Sequence, residues 1–428
     1  MIRTLPRLGT VYSGWIVLSA CFVSAMLIVG STIYSFQLFV IPVTEEFGIS
    51  RATANNAYIS MLVGLAIWSP LVGRLLDKFD AKYVIMFGAL SFGGAFTLVA
   101  MAQSLKLMMV GIFVMLSISV CSCGGLAGNA VTVRWFQKRR GRALGLMSVT
   151  SSVGGALMVP VISFLITSYG WRMAMLLTGW SVAIIIFVLV GLFVRGRPAP
   201  ADINDFDEFD TQEDESRKEA PTGDKTLSLK QIVTTRNYWL VAMGCGLLLA
   251  SDQAVLTSKF PFLVDSGFSV LQATTIISAM TISAVAGKLI IGFMADYFDV
   301  RHLFALVALF HFLLLAVFLM RPDYWSLLIF VSIFGAAVGG IYPVWSSLTA
   351  TAFGPVSIGS VLGFMAPVMQ GLSIIFVGFI GEVHSRTGSY DIAFQGFMVT
   401  VVISVFFIYS VIGLCNLAYV YERVRIFK

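Results

Sequence analysis

The sequence predicts an all-α membrane protein with twelve transmembrane helices in two pseudo-symmetric six-helix halves. The first supporting observation is composition: 58% of the 428 residues are apolar, 12% are charged, and the mean hydropathy is +0.91. An average soluble domain carries about 25% charged residues, and its surface needs that polar cover. The second and third observations are a series of long apolar segments and an internal repeat. The same composition excludes a disordered chain.

Twelve segments meet the requirement of about 20 mostly apolar residues for a membrane-spanning helix. Arg3 and Arg7 precede the first segment, which is too long for a cleaved signal and is predicted to be a retained span. The predicted spans lie roughly at 14–43, 56–76, 83–102, 107–133, 143–167, 173–194, 237–264, 270–294, 302–320, 325–350, 358–383 and 391–420.

One connection between spans differs from the others in length and charge. Residues 195–236 hold ten of the 22 acidic residues, which is typical of a solvated, flexible linker. The sequence therefore predicts an N-terminal six-helix bundle at 1–194, a cytoplasmic linker loop at 195–236 and a C-terminal six-helix bundle at 237–428.

The placement of Lys and Arg predicts the orientation in the membrane, because cytoplasmic loops carry an excess of these residues. With both termini inside, most of the 28 Lys and Arg residues lie on the cytoplasmic side. The net charge of +6 is then a consequence of topology, so no nucleic-acid partner is predicted. The cationic residues of the loop between spans four and five are interpreted as part of this excess, in contact with anionic lipid: Arg134, Lys138, Arg139, Arg140 and Arg142. The basic residues predicted to lie outside are Arg51, Lys106, Arg172, Lys259, Arg321 and Arg386.

Two short patterns recur at about half the chain length. Residues 73–82 and 292–301 both fit G-x-x-x-D-x-F-D-x-[KR], at an offset of 219. Residues 141–145 and 359–363 share a Gly-x-x-Leu-Gly pattern at nearly the same offset. Such a duplication is typical of a transporter whose two halves rock around a central site, giving alternating access.

The loop Gly73-x-x-x-Asp77-x-x-Asp80 between spans two and three resembles the signature loop of the major facilitator superfamily. The resemblance covers essentially the whole chain, since the twelve-helix plan and the long central loop fit as well. It implies the major facilitator fold and a secondary active transporter, which functions as a monomer in most members.

Two further stretches resemble one branch of that superfamily, the oxalate/formate antiporter and monocarboxylate transporters. They are residues 34–51 and residues 134–145. In that branch an arginine just after a glycine in helix eight binds the substrate carboxylate, and the matching residue here is Lys288, after Gly287. The oxalate antiporter also has a lysine in helix eleven, where Gln370 stands here. A single cation suits a singly charged anion better than a dianion.

Asp252 and Lys288 are predicted to be the ionisable residues inside the spans. A charged group at mid-membrane costs about 2.5–3.5 kcal/mol on insertion scales, so each is a functional candidate. Lys288 is either the counter-ion of the anion or a lysine that snorkels to the cytoplasmic face. Asp252 either titrates to couple proton movement, or lies in a wide vestibule and neutralises a cation. One hypothesis joins them: anion and proton bind together, and Lys288 leaves Asp252 for the substrate.

Neutral polar residues in apolar helices are predicted to complete the binding site, since Tyr, Asn and Gln orient a carboxylate without adding charge. The alternative for each is an interhelical hydrogen bond. His311 is predicted to be packed rather than functional. The lining candidates are Tyr34, Gln37, Asn129, Gln253, Tyr342 and Gln370. The residues predicted to form a cytoplasmic gate are Arg74, Asp77, Lys78, Asp296, Asp299 and Arg301.

No enzyme activity is predicted, because no catalytic constellation is present. The chain has no Gly-x-x-x-x-Gly-Lys-Ser/Thr motif for ATP, and its five cysteines and three histidines lack metal-ligand spacing, so neither cofactor nor metal is predicted. The favoured function is proton-coupled transport of a small organic monocarboxylate across a bacterial inner membrane. The alternatives are a carboxylate/carboxylate antiporter, an exporter of bulkier drug-like or siderophore-like substrates, and a non-transporting sensor.

Overall fold

The computed structural model describes residues 13–49, 51–136, 139–196, 229–354 and 357–411. Eleven helices in these ranges are long and apolar enough to cross a membrane. One of them, Arg140–Phe193, has 54 residues and would be about 80 Å long if straight, far more than a bilayer of about 30 Å needs. Gly170 interrupts it with φ 78° and ψ 160°, outside the helical region. It is therefore two spans, and the predicted count of twelve is confirmed.

The N-terminal half contains spans α1 to α6. Spans α1 and α4 each include a short π-helical segment, Gly30–Tyr34 and Ile112–Leu116, and α1 continues beyond Tyr34 as Phe36–Phe47. The spans are α1 (Ser13–Tyr34), α2 (Arg51–Lys78), α3 (Ala81–Met101), α4 (Leu105–Trp135), α5 (140–169) and α6 (171–193).

The C-terminal half contains spans α7 to α12, preceded by a short helix, Leu229–Thr234. The predicted linker falls mostly on residues 197–228, which lie outside the described residues, as do positions 412–420 of the last predicted span. The spans are α7 (Arg236–Asp265), α8 (Val270–Met294), α9 (Val300–Met320), α10 (Tyr324–Phe353), α11 (Ile358–Thr387) and α12 (Asp391–Tyr409).

The repeated loops begin the next span in the same way in both halves. The Asp80 carboxylate accepts a hydrogen bond from the Lys82 backbone N–H at 2.9 Å and caps α3. At the matching position, Asp299 accepts from the Arg301 N–H at 2.9 Å and caps α9. An N-cap carboxylate satisfies one of the unpaired donors of the first turn. The repeat in the sequence therefore encodes the same local structure twice.

Buried apolar side chains form two clusters, one largely within each half of the chain. The clusters meet where α2 packs on α11 and α5 packs on α8. Gly73 lies so close to Gly359 that a Cβ on either would collide with the backbone of the other helix or its neighbours, and Gly141 and Gly292 approach in the same way. Both approaches lie at the end of the molecule that carries the repeated loops. We call this end, defined by these two glycine pairs, the closed end.

Candidate functional site

Asp77 joins the two halves at the closed end. Its carboxylate is 4% exposed and accepts hydrogen bonds from the backbone N–H groups of Gly359 at 3.0 Å and Ser360 at 2.6 Å, at the N-terminus of α11. Arg134 of α4 lies 2.5 Å from the same carboxylate. Negative charge is stabilised at a helix N-terminus, so Asp77 fixes α11 of one half to α2 and α4 of the other.

Asp296 makes the equivalent contact in the opposite direction. Its carboxylate accepts from the backbone N–H groups of Gly141 at 2.5 Å and Arg142 at 3.2 Å, at the N-terminus of α5. The two repeated patterns thus contact each other across the halves. The aspartate of the loop pattern in each half caps the helix that begins with the Gly-x-x-Leu-Gly pattern of the other half. The sequence predicted gate residues but not this pairing. Arg134 was interpreted as part of the cytoplasmic Lys and Arg excess, in contact with anionic lipid. The lipid contact is wrong because its side chain is buried against Asp77, and the cytoplasmic placement stays a prediction.

The other predicted gate residues have varied surroundings. The Arg74 guanidinium lies 4.7 Å from the ring centre of Phe364 in α11, which is a second contact across the closed end. The Lys78 ammonium lies 5.6 Å from the ring of its neighbour Phe79. Asp299 pairs with Arg301 at 2.9 Å beside the start of α9. A gating role for these residues stays a prediction.

Lys288 lies in α8, above the closed end. It is 7% exposed, and its ammonium donates hydrogen bonds to the hydroxyls of Ser151 at 3.0 Å and Ser152 at 2.9 Å, both in α5. The hypothesis that Lys288 leaves Asp252 for the substrate implies an ion pair between them in the empty site, which the spacing along the two helices left open. Among the described residues that ion pair is absent, because the ammonium turns toward α5 instead.

Asp252 lies in α7, and the cations whose charges act on it are Lys259 and Lys288. Lys259 was predicted to lie on the outer side, and that side stays a prediction. The sequence did not predict that its side chain is buried within α7. Lys259 is 8% exposed and belongs to α7, two helical turns from Asp252 on the same face. The seven-residue spacing between the two was the available signal. The site therefore has two cations and one carboxylate.

Some predicted lining residues lie near Asp252, and one forms a hydrogen bond between the two halves. Tyr34 is 44% exposed and Tyr342 is 39% exposed, and both interact electrostatically with Asp252. The Gln253 amide donates to the Tyr342 hydroxyl at 3.2 Å. Asn129 of α4 donates to Ser346 of α10 at 2.9 Å, across the two halves.

The remaining polar candidates make no described contact with the charged residues of the site. Gln370 is half-buried in α11 and makes no hydrogen bond to another described residue. Gln37 lies in the helix Phe36–Phe47, but its side chain is outside the described part of the structure. His311 is fully buried in α9 and forms a hydrogen bond with Ser251 at 2.9 Å, as its predicted packing role requires.

An apolar cavity of about 60 Å³ in the N-terminal half is lined by none of the predicted binding residues.

Comparison with known proteins decides the family. The model of the Major Facilitator Superfamily matches residues 20–378. The chain belongs to the major facilitator superfamily. It is therefore a multi-pass membrane transporter and not an enzyme, as the sequence predicted.

Several transporters are similar to this superfamily member. Monocarboxylate transporter 12 of Rattus norvegicus is 24% identical over 407 residues, which cover 89% of this chain and 82% of the relative. The oxalate:formate antiporter of Oxalobacter formigenes is 25% identical over 62% of this chain and 56% of its own length. The crystal structure of the human organic anion transporter MFSD10 matches with a TM-score of 0.68 at 14% identity, covering 92% of this chain and 99% of that one, which supports the fold alone.

The Asp296 contact of this transporter is expected to depend weakly on charge. Burial raises the pKa of the Asp296 carboxyl, while the bonds from Gly141 and Arg142 and the nearby guanidinium groups act in the opposite direction. Because this pKa is higher in the closed conformation than in water, that conformation binds the proton more tightly, and acidification stabilises it.

Asp296→Asn keeps one acceptor oxygen but leaves one of the two backbone N–H groups without an acceptor, so it is expected to weaken the closed end by about 1–3 kcal/mol. Hydrogen exchange of the Gly141 and Arg142 amides across a pH series measures this. The wild-type amides should gain protection, beyond the intrinsic change in rate, as pH falls, and the variant should lose that dependence. If the variant keeps the pH dependence of exchange, that dependence arises from a group other than Asp296.

Proposed function

We propose that this transporter carries a small organic monocarboxylate together with a proton across the cytoplasmic membrane by alternating access. The observation that supports it most is the buried Lys288 ammonium, which is held by two neutral hydroxyls and has no acidic partner among the described residues. A buried cation normally requires a paired anion, because its desolvation is costly. An anionic substrate supplies that partner.

The charge balance of the site favours one proton for each monocarboxylate. With Asp252 ionised, the empty site carries two positive charges and one negative charge. With a monocarboxylate bound and Asp252 protonated, the sum is the same. The loaded and the empty site therefore carry the same net charge when the protein changes conformation. The Born cost of the conformational change is then no larger for one than for the other. Loading without the proton would change that charge.

Exchange of one carboxylate for another is the second candidate. The similarity to a protein named as an oxalate:formate antiporter favours it. An exchanger needs the loaded site to reorient but not the empty one, so it shows counterflow without dependence on a proton gradient. The two candidates share the anion site at Lys288 and differ in what Asp252 does.

The proposal includes the placement in the cell. Both termini and the closed end face the cytoplasm of a bacterial inner-membrane protein, because the excess of Lys and Arg lies on that side. The transporter acts as a monomer with one central site between its halves, in contact with membrane lipid.

Uptake into proteoliposomes tests the proposal. Labelled mono- and dicarboxylates are offered with and without an imposed inward proton gradient, and in vesicles that are empty or preloaded with carboxylate. Gradient-driven monocarboxylate uptake into empty vesicles supports symport. Uptake only into preloaded vesicles supports exchange. Absence of carboxylate uptake under every condition contradicts the proposal and favours the exporter.

Asp252→Asn separates the two candidates within one protein. Asparagine cannot take up a proton at physiological pH, so gradient-driven uptake is expected to fall about tenfold or more, while exchange is retained within about threefold. Both rates are measured in the same proteoliposomes, with Thr257→Ala as the matched control in α7, because the Thr257 hydroxyl bonds to the Ala254 carbonyl of its own helix at 2.9 Å. Equal loss of the two rates would leave Asp252 only a structural role.

A further inference from the structure

The hydrogen bonds of Lys288 cross the boundary between the two halves. The lysine belongs to α8 of the C-terminal half, whereas Ser151 and Ser152 belong to α5 of the N-terminal half. The two helices are in close contact just below, since a Cβ on Gly145 would lie 2.8 Å from the Lys288 carbonyl oxygen. The ammonium is therefore positioned by the half of the protein opposite to its own backbone.

The donors around this ammonium are not all used. A lysine ammonium has three N–H donors, and two of them bond to the serine hydroxyls. The Ser151 hydroxyl donates to the Ser148 carbonyl at 3.1 Å. The Ser152 hydroxyl accepts from Lys288 and donates to no group in the described part of the chain. One N–H and one O–H thus remain side by side, 2.9 Å apart at their heavy atoms.

We propose that Ser151 and Ser152 are part of the anion site, with Ser152 donating to one oxygen of the substrate carboxylate while Lys288 donates to the other. Ser151 is a positioning residue, which keeps the ammonium directed toward α5 while the site is empty. The inference deepens the proposed function and depends on it for the identity of the anion as a carboxylate.

This arrangement has a consequence for the transport cycle. A carboxylate held by Lys288 and Ser152 contacts α8 and α5 together, so it ties the two halves at the level of the site. Movement of α5 away from α8 at the closed end would break the bonds between Lys288 and the serines. The carboxylate then keeps the ammonium neutralised while those bonds are absent.

The inference is tested with Ser152→Ala, Ser152→Thr and Ser151→Ala. Ser148→Ala is the matched control, because the Ser148 hydroxyl bonds to the Gly145 carbonyl of its own helix at 2.7 Å and not to Lys288. A hydrogen bond to a charged group is lost in Ser152→Ala, so the KM for monocarboxylate uptake is expected to rise about tenfold or more, with Vmax within about twofold. Threonine should restore most of the affinity. A KM equal to that of Ser148→Ala would overturn the role of Ser152, and an unchanged KM and Vmax in Ser151→Ala would overturn that of Ser151.

A binding measurement separates this inference from the proposed function. The thermal stability of each purified protein is recorded with sodium formate, with sodium sulfate and with sodium chloride. If wild type transports no carboxylate but formate or sulfate raises its Tm in a manner abolished by Lys288→Ala and Ser152→Ala, the anion site stands and the transport proposal fails. If no anion raises the wild-type Tm, the anion site itself is overturned.

Discussion

Lys288→Ala is expected to abolish carboxylate transport while the protein still folds and inserts. The substitution removes the ammonium that would neutralise the anion, on a lysine that is 7% exposed. Removal of one partner of a buried ion pair costs about 3–5 kcal/mol, which corresponds to a loss of substrate affinity of about a hundredfold or more. Uptake and exchange should fall together, because both require the bound anion. The measurement is initial-rate uptake in proteoliposomes at matched protein content.

Two variants make this result specific. Lys288→Arg keeps the charge and is expected to retain part of the activity, because the longer, planar guanidinium places its donors differently from the ammonium. Lys106→Ala removes an exposed lysine in the first turn of α4 and should leave the uptake rate unchanged. Normal uptake by Lys288→Ala would remove this residue from the anion site, and with it the proposed role of Ser152.

Asp77→Asn is expected to have the second large effect, on the closed end rather than on the anion site. Asparagine removes the charge that faces Arg134, whose side chain is 5% exposed, and weakens the cap of α11. A buried cation that loses its partner costs about 3–5 kcal/mol. We expect a lower Tm, lower transport, and faster hydrogen exchange at the Gly359 and Ser360 amides.

Controls at neighbouring positions separate closure from general destabilisation. Asp80→Asn removes a cap within the same half, where Asp80 accepts from Lys82 and Gly196, so it should leave the exchange of the α11 amides unchanged. Adding Arg134→Gln to Asp77→Asn removes the uncompensated charge and should recover part of the Tm. If the α11 amides exchange at the wild-type rate in Asp77→Asn, the cap does not hold the closed end.

The sequence was sufficient to predict the fold because a bilayer leaves few choices. In hydrocarbon every backbone N–H and C=O must be satisfied internally, so long apolar segments can only be helices or closed barrels. Counting such segments gave twelve spans, even where Arg140–Phe193 runs as one helical stretch broken at Gly170. The repeat at 73–82 and 292–301 also predicted equivalent loops in two halves, and both loops end in the same aspartate cap.

Part of the candidate site was predictable for a related reason. Charges such as Asp252 and Lys288 are costly inside a membrane, so they stand out against apolar neighbours without any knowledge of packing. Ser151 and Ser152 carry no such signal, because serine is common in membrane helices and costs little there. The burial of Lys259 was missed because it lies near the end of α7, where position along the chain does not distinguish an exposed residue from a buried one.

What the sequence determined by itself was the class of protein, the number of spans, the duplication and the presence of ionisable groups within the membrane. Only the tertiary structure decided which of these groups meet. Asp77 caps α11 and Asp296 caps α5, and Lys288 turns to two serines rather than to Asp252. These pairings depend on how each helix is rotated about its axis and on which helices pack together. Hydropathy and spacing do not encode that rotation, because it is set by close packing between residues far apart in the chain.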